Sequence, residues 1–101
     1  MTVYEPVVAN FNGTPTRGTA PLNVIFTNLS AGDFYTCLWD FGDGATSTAC
    51  ISPVHIYEAL GTYTVALTVN GPGGTATETK TEYIIVEPNL LFLPLLRSAD
   101  E

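Results

Sequence analysis

Asp40 and Asp43 stand three residues apart in Trp39-Asp40-Phe41-Gly42-Asp43-Gly44, and the chain's one histidine, His55, follows twelve residues later. Two carboxylates at that spacing could act as an acid/base pair or as hard oxygen ligands for a cation. An imidazole could serve as a general base or bind a metal. Each chemistry needs more than these residues. Ser52 lies three residues before His55, but no Gly-x-Ser-x-Gly elbow surrounds it. No second imidazole exists, and neither cysteine is close to His55 in sequence. A glycosidase needs a cleft to hold its two carboxylates, and a chain of 101 residues has little depth to form one. Hydrogen bonding of aspartate to backbone N–H groups in a glycine-rich turn explains both residues without catalysis. No catalytic residue is assigned, and His55 is read as structural.

The two cysteines, Cys37 and Cys50, flank the same turn. A hairpin centred on Gly42-Asp43-Gly44-Ala45 sets Phe41 opposite Thr46, Trp39 opposite Thr48 and Cys37 opposite Cys50. Opposed residues bring their Cβ atoms to about 4.5–5.5 Å, within reach of a disulfide. Closing that loop would add roughly 3 kcal/mol. The competing reading is a pair of buried thiols in a reducing compartment.

The elements that hold these residues are strands. No sustained 3.6-residue apolar period occurs. Thr, Val, Ile, Phe and Tyr recur in short runs between Gly, Pro, Asn and Asp. The first run covers residues 7–11, and Asn12-Gly13-Thr14-Pro15 reads as a turn. Leu22, Val24 and Phe26 alternate onto one face. Residues 34–41 form a strand that ends in Gly42-Asp43-Gly44, and residues 45–51 return as its partner. Pro53 opens the next segment and places it at an edge or in a loop. Tyr63, Val65, Leu67 and Val69 point one way, with Thr64, Ala66, Thr68 and Asn70 on the other side. Residues 75–86 make the last strand, with Tyr83 and Ile85 as core candidates. About seven antiparallel strands in this length predict a two-sheet sandwich. Trp39 belongs in its core, provided the indole N–H finds an acceptor.

Composition sets the limits. Hydrophobic residues make up 46% of the chain and charged residues 13%, with a formal net charge of −7. Only Arg17, Lys80 and Arg97 are basic. Nucleic-acid binding needs clustered Lys and Arg, so nucleic acid is excluded as a partner. No stretch is long enough to span a bilayer, and an anionic membrane surface would repel the chain. The acidity reads as solubility outside the cell. Met1-Thr2-Val3-Tyr4-Glu5-Pro6 lacks the basic and apolar regions of a secretion signal, so any such signal is expected to have been removed upstream. Asn12-Gly13-Thr14 and Asn28-Leu29-Ser30 match the N-glycosylation sequon.

Three segments together resemble the polycystic-kidney-disease (PKD) domain family. They are Trp39-Asp40-Phe41-Gly42-Asp43-Gly44, then Pro53-Val54-His55-Ile56-Tyr57, then the strand opening Gly61-Thr62-Tyr63. Their order and spacing are the family's, and the likeness runs from about Val7 to Val86. The resemblance implies an Ig-like β-sandwich of a secreted or surface protein, in which His55 belongs to a structural Pro-x-His-x-Tyr element. Tyr63 is placed like the corner tyrosine of such sandwiches. Some PKD domains, notably in bacterial collagenases, carry calcium near the loop before the Trp strand. Of that acidic segment this chain keeps only Asp33, within Leu29-Ser30-Ala31-Gly32-Asp33. Asp33 is therefore a weak calcium candidate, and no other cofactor is expected.

The division this suggests is a lead over residues 1–6, a PKD domain over 7–87 and an apolar tail over 88–101. The tail carries Leu90, Leu91, Phe92, Leu93, Leu95 and Leu96, with Pro94 among them. Exposed, it would be an aggregation hazard. It is expected to pack on its own domain, to join a neighbouring subunit or domain as an added strand, or to be a remnant of a longer chain or a sorting signal. The leading functional expectation is a non-catalytic extracellular module for spacing or protein contact, with other domains or its own copies as partners. The alternatives are a carbohydrate-binding accessory domain of a hydrolase, with polysaccharide as partner, and a subunit of a surface filament. Exposed coplanar rings among Tyr4, Phe34, Tyr35 and Phe92 would favour the polysaccharide reading.

Overall fold

Alternation of buried apolar with more exposed residues builds the strands Leu22–Asn28, Thr36–Asp40 and Gly61–Gly71. A computed structural model describes residues 3–88. They form β1 (Phe11–Thr14), β2 (Arg17–Thr19), β3 (Leu22–Asn28), β4 (Thr36–Asp40), β5 (Thr46–Ser47), β6 (Val54–Tyr57), β7 (Gly61–Gly71) and β8 (Gly74–Glu87). One sheet has the order β1-β3-β6 and the other β2-β8-β7-β4-β5. The described chain is thus an all-β two-sheet sandwich, and among the described residues there is no helix long and apolar enough to cross a membrane. The apolar segment at residues 90–96, Phe92 included, lies outside the described residues.

The inner faces make one core. Leu22, Val24 and Phe26 of β3 meet Val65, Leu67 and Val69 of β7, and all six are buried. Trp39 lies at the centre with 0% exposure, its ring 5.3 Å from Phe11 and 5.5 Å from Phe26. Its indole N–H donates to the Ala49 carbonyl at 2.7 Å. Full burial of a large apolar side chain contributes about 1.5–3 kcal/mol, so these few residues dominate the stability.

Four details differ from the expectations. First, the described residues form eight strands where about seven were expected, and one pairing in the sandwich is parallel: β2 adds to the edge of β8, with Arg17 beside Ile85. Second, Asn12-Gly13-Thr14 is not a turn but part of β1, with Gly13 opposite Phe26. Glycine is needed there because a Cβ would meet the Phe26 ring at 2.9 Å. Residues 7–9 form no strand: Val8 makes an isolated bridge to Ala31, and the Val7 N–H donates to the Gly73 carbonyl at 3.4 Å.

Third, the β4–β5 hairpin is shifted by one residue. Asp40 pairs with Thr46 and Trp39 with Ser47. The loop closes with a hydrogen bond from Phe41 N–H to the Ala45 carbonyl, which moves the register away from Phe41–Thr46. Only Thr46–Ser47 of the expected return strand pairs with β4. Beyond it the chain leaves the ladder, and there the Trp39 indole takes the Ala49 carbonyl.

Fourth, Ile84 and Val86 fill the core, not Ile85. Tyr63 pairs with Ile84 and Val65 with Lys80, so Thr64 alone faces three residues of β8. Glu82, at φ 51°, sits in this bulge, and its N–H is satisfied by the Thr64 hydroxyl at 3.0 Å. The bulge turns Tyr83 inward against Phe11, at 5.8 Å, although its neighbour Ile84 also points in. Two extra residues keep the alternation in phase on either side, and Tyr83 is the residue the bulge adds to the inner face.

Candidate functional site

The turn after β4 and the inner face of β6 bring Asp40, Asp43, His55 and Tyr57 to one corner. Gly42 lets the chain bend there. Its φ is 89°, and a Cβ would run into the Thr64 carbonyl. Asp40 accepts from the Gly42 N–H at 3.0 Å, and Asp43 Oδ1 accepts from the Ala45 N–H at 3.1 Å. Both aspartates therefore hold their own turn, as short polar side chains do. The second oxygen of Asp43 reaches His55 Nε2 at 2.6 Å. The imidazole lies flat on Phe41, with ring centroids 4.3 Å apart and planes 7° from parallel.

Tyr57 completes the corner. It is fully buried, and its hydroxyl donates to the Phe41 carbonyl at 2.8 Å. Burial, and after it the Asp43 carboxylate, push its phenol above the ordinary tyrosine range; Tyr63 and Asp40 add to this. The proton thus stays on Tyr57, where it serves the hydrogen bond across the sandwich. Tyr63 packs on Tyr57 at 4.6 Å and donates to the Ala59 carbonyl at 2.6 Å, four residues upstream. That is the geometry of a tyrosine corner. Pro53 is buried at the start of β6, and its carbonyl accepts from the Phe26 N–H at 2.9 Å.

An Asp–His pair at 2.6 Å could orient a base, but a base needs a nucleophile in reach. Among the described residues, the hydrogen bond from His55 runs to Asp43 and to no hydroxyl or thiol. Also among the described residues, no three His, Cys, Asp or Glu side chains cluster as a metal site. Asp33 does not fit the calcium role. Its carboxylate accepts from the Glu5 N–H at 2.6 Å, and its carbonyl accepts from the Gly73 N–H at 2.9 Å. It ties the start of the chain to the β7–β8 turn. One committed carboxylate cannot supply the six or more oxygens that calcium takes.

Cys37 and Cys50 form a disulfide, with Cα atoms 5.3 Å apart. Asn28 supports it: its amide N–H donates to the Cys50 carbonyl at 3.1 Å, and its oxygen accepts from the Ser30 N–H at 2.9 Å. The sequence reading saw Asn28 only as a sequon. Its signal was the Asn-x-Ser pattern of a local side-chain turn, which the sequon obscures. Of the candidate rings, Tyr4 and Tyr35 are 50% and 72% exposed, while Phe34 packs against the core. Sequence reasoning also missed an outward strip of Ile25, Val54 and Ile56, each about half exposed. The alternation of Val54 and Ile56 with His55 and Tyr57 carried that signal.

Comparison with known proteins bears on this corner. The PKD domain profile matches residues 4–86. A collagenase of Bacillus cereus strain Q1, ColQ1, is 42% identical over 85 residues, which cover 80% of this chain and 9% of the collagenase. The chain spans less than a tenth of the length of the curated relatives it matches. Among solved structures, the PKD1 domain of Vibrio anguillarum Epp is 34% identical with a TM-score of 0.67, over 84% of this chain and 100% of that one. A structure described for the promiscuous specificity of carbohydrate-binding modules of the β-sandwich superfamily is 29% identical. Its TM-score is 0.73, over 86% of this chain and 36% of that one. A profile match over most of the chain, on a sandwich built around the Trp39–Gly44 turn and the His55–Tyr57 strand, makes this chain a member of the PKD domain family.

Proposed function

We propose that the chain is a non-catalytic module of a secreted or surface-attached protein, acting as a spacer or a protein-contact domain. One observation carries this reading: the groups that could do chemistry are engaged in holding the fold. Asp40 and Asp43 cap their turn, Asp43 binds His55, and Tyr57 bonds the Phe41 backbone. The disulfide supports an oxidising compartment. That matches reach only 9% of a collagenase fits an accessory part of a larger protein. In this reading the folded unit is residues 7–87, with 1–6 as a lead and 88–101 as an appended tail. Purified chain, screened on ester, peptide and glycoside substrates, is expected to give no turnover above buffer. Turnover abolished by Asp43→Asn or His55→Ala would overturn the proposal.

A polysaccharide-binding role is the second reading, favoured by the likeness to a carbohydrate-binding-module structure and by the exposed rings of Tyr4 and Tyr35. Calorimetric titration with soluble polysaccharides tests it. Heat of binding that disappears in Tyr35→Ala would favour it over spacing alone, and no heat with any polysaccharide would remove it.

A further inference from the structure

The two sulfurs of the disulfide stand in unlike surroundings. Cys37 sits in β4, pairs with Val69 of β7 and is 5% exposed. Cys50 is only partly buried and lies in residues 48–52, which join no strand among the described residues. Its neighbour Ile51 is 79% exposed, and Tyr35, whose carbonyl is 4.0 Å from Cys50 Sγ, is 72% exposed. One end of the bond is fixed in a ladder and the other is at the surface. Gly61, where β7 meets Val86 near the end of β8, is roughly 27 Å along β7 from Val69.

The polar contacts of the two sulfurs differ as well. Asn28 Nδ2 stands 3.7 Å from Cys37 Sγ and donates to the Cys50 carbonyl at 3.1 Å. With the Asn28 oxygen taken by the Ser30 N–H, the nitrogen is the atom that faces the sulfur. A donor beside Cys37 Sγ favours negative charge there more than a carbonyl beside Cys50 Sγ does. In thiol–disulfide exchange the attacked sulfur must be reachable, and the better-stabilised thiolate leaves more readily. Both conditions point the same way, to attack at Cys50 and departure of Cys37. Burial of Cys37 works against a lasting charge, so its thiolate must take up a proton. The segment carrying Cys50 has anchors besides the bond. The Trp39 indole donates to the Ala49 carbonyl at 2.7 Å, the Ala49 N–H to the Ser47 hydroxyl at 3.2 Å, and the Phe26 N–H to the Pro53 carbonyl at 2.9 Å. Opening the bond therefore leaves the segment tied and the core closed.

We propose that Cys50 is an exchange site for low-molecular-weight thiols, at which the folded chain takes up a small thiol as a mixed disulfide without unfolding. The thiolate of the small molecule attacks Cys50 Sγ. The Cys37–Cys50 bond breaks, and its electron pair leaves on Cys37 Sγ, which takes a proton from water. One disulfide replaces another, so no outside oxidant or reductant enters the step. The reverse attack by Cys37 expels the small thiol and restores the bond, so the modification follows the external thiol concentration. The adduct stands beside Ile51 and the Tyr35 carbonyl and changes the exposed apolar surface there. A consequence for partner contact rests on the reading of the chain as a contact module; the exchange chemistry does not.

The test uses the oxidised full chain with reduced glutathione as the probe, an acid quench and peptide mass mapping. The proposal expects the glutathione adduct on Cys50. It also expects about a tenfold rise in rate for a tenfold rise in glutathione, since the small thiol is the attacking group. The rate should stay flat with urea well below the unfolding midpoint. Exchange that proceeds only through global unfolding climbs with urea in step with unfolding, and that result would overturn the proposal. So would an adduct on Cys37, or no exchange at glutathione concentrations that open the bond in the urea-unfolded chain. If a second glutathione removes the adduct before it is isolated, native alkylation after brief reduction takes its place. Cys50 labelled first is the expected result; Cys37 first, or both together, overturns the proposal.

Discussion

The two faces of β6 are opposites. Its inner face carries His55 and Tyr57, bonded to Asp43 and to the Phe41 carbonyl and packed on aromatic rings. Its outer face carries Val54 and Ile56, half exposed and aliphatic. The face rich in titratable groups is closed on itself, and the face open to solvent offers no chemistry. In four residues this strand separates what fixes the fold from what could meet another surface. A search for function that starts from ionisable side chains lands on groups already engaged in holding the fold.

Substitutions can break that contrast, and the core under the inner face should give the largest effect. Trp39→Ala is expected to cost about 3–5 kcal/mol in urea unfolding, since it removes a fully buried ring and its bond to Ala49. A loss below about 1 kcal/mol would mean the aromatic centre is not what holds the two sheets together.

Replacing Cys37 and Cys50 together by serine is expected to cost about 2–4 kcal/mol, the range for a short loop closed by a disulfide. Unfolding of the oxidised and the reduced wild-type chain should differ by the same amount. Equal midpoints for the two would contradict the clamp.

Tyr57→Phe sharpens the inner face at its most buried polar atom. It removes the donor to the Phe41 carbonyl and should cost about 1–2 kcal/mol. It also tests a pH limb. The folded-state phenol is held above its ordinary value of 10.0, chiefly by burial, so the folded protein keeps a proton that the unfolded chain releases. The associated stability is fully present below pH 10 and drains as pH rises beyond it. Urea midpoints measured across that range should fall less steeply for Tyr57→Phe than for wild type. On the outer face, Ile56→Thr in a chain ending at Pro88 should change stability by no more than about 0.5 kcal/mol. A larger loss would show that the strip supports the domain directly.

Much of this was legible in the residues, and the exceptions share a cause. Leu22, Val24 and Phe26 announced a strand because alternation is a local property, and all three are buried. The Asp40–Gly44 turn announced itself by residue type. Register did not. One hydrogen bond, from Phe41 to Ala45, slips the β4–β5 pairing by a residue, and nothing in Thr46–Ser47 of β5 is apolar enough to forbid the alternative. In β8 the core falls on Ile84 and Val86, in phase with Ala76, Glu78 and Lys80, while the bulge at Glu82 turns Tyr83 to the same side, and that bulge is visible only against the partner strand. Gly13 misled for a related reason. Its glycine serves a ring on β3 that sits far away in sequence, and not a turn. The Asp43–His55 contact joins a turn to another sheet, so local pattern names both residues without pairing them.

The central claim is that Asp43 and His55 together pin the corner of the fold. A double-mutant cycle on unfolding free energy, with Asp43→Asn, His55→Phe and the combined variant, measures it directly. The account predicts a favourable coupling of about 0.5–3 kcal/mol, as for residues in one hydrogen-bonded contact. Additive single effects, with neither variant less stable than wild type, would contradict it.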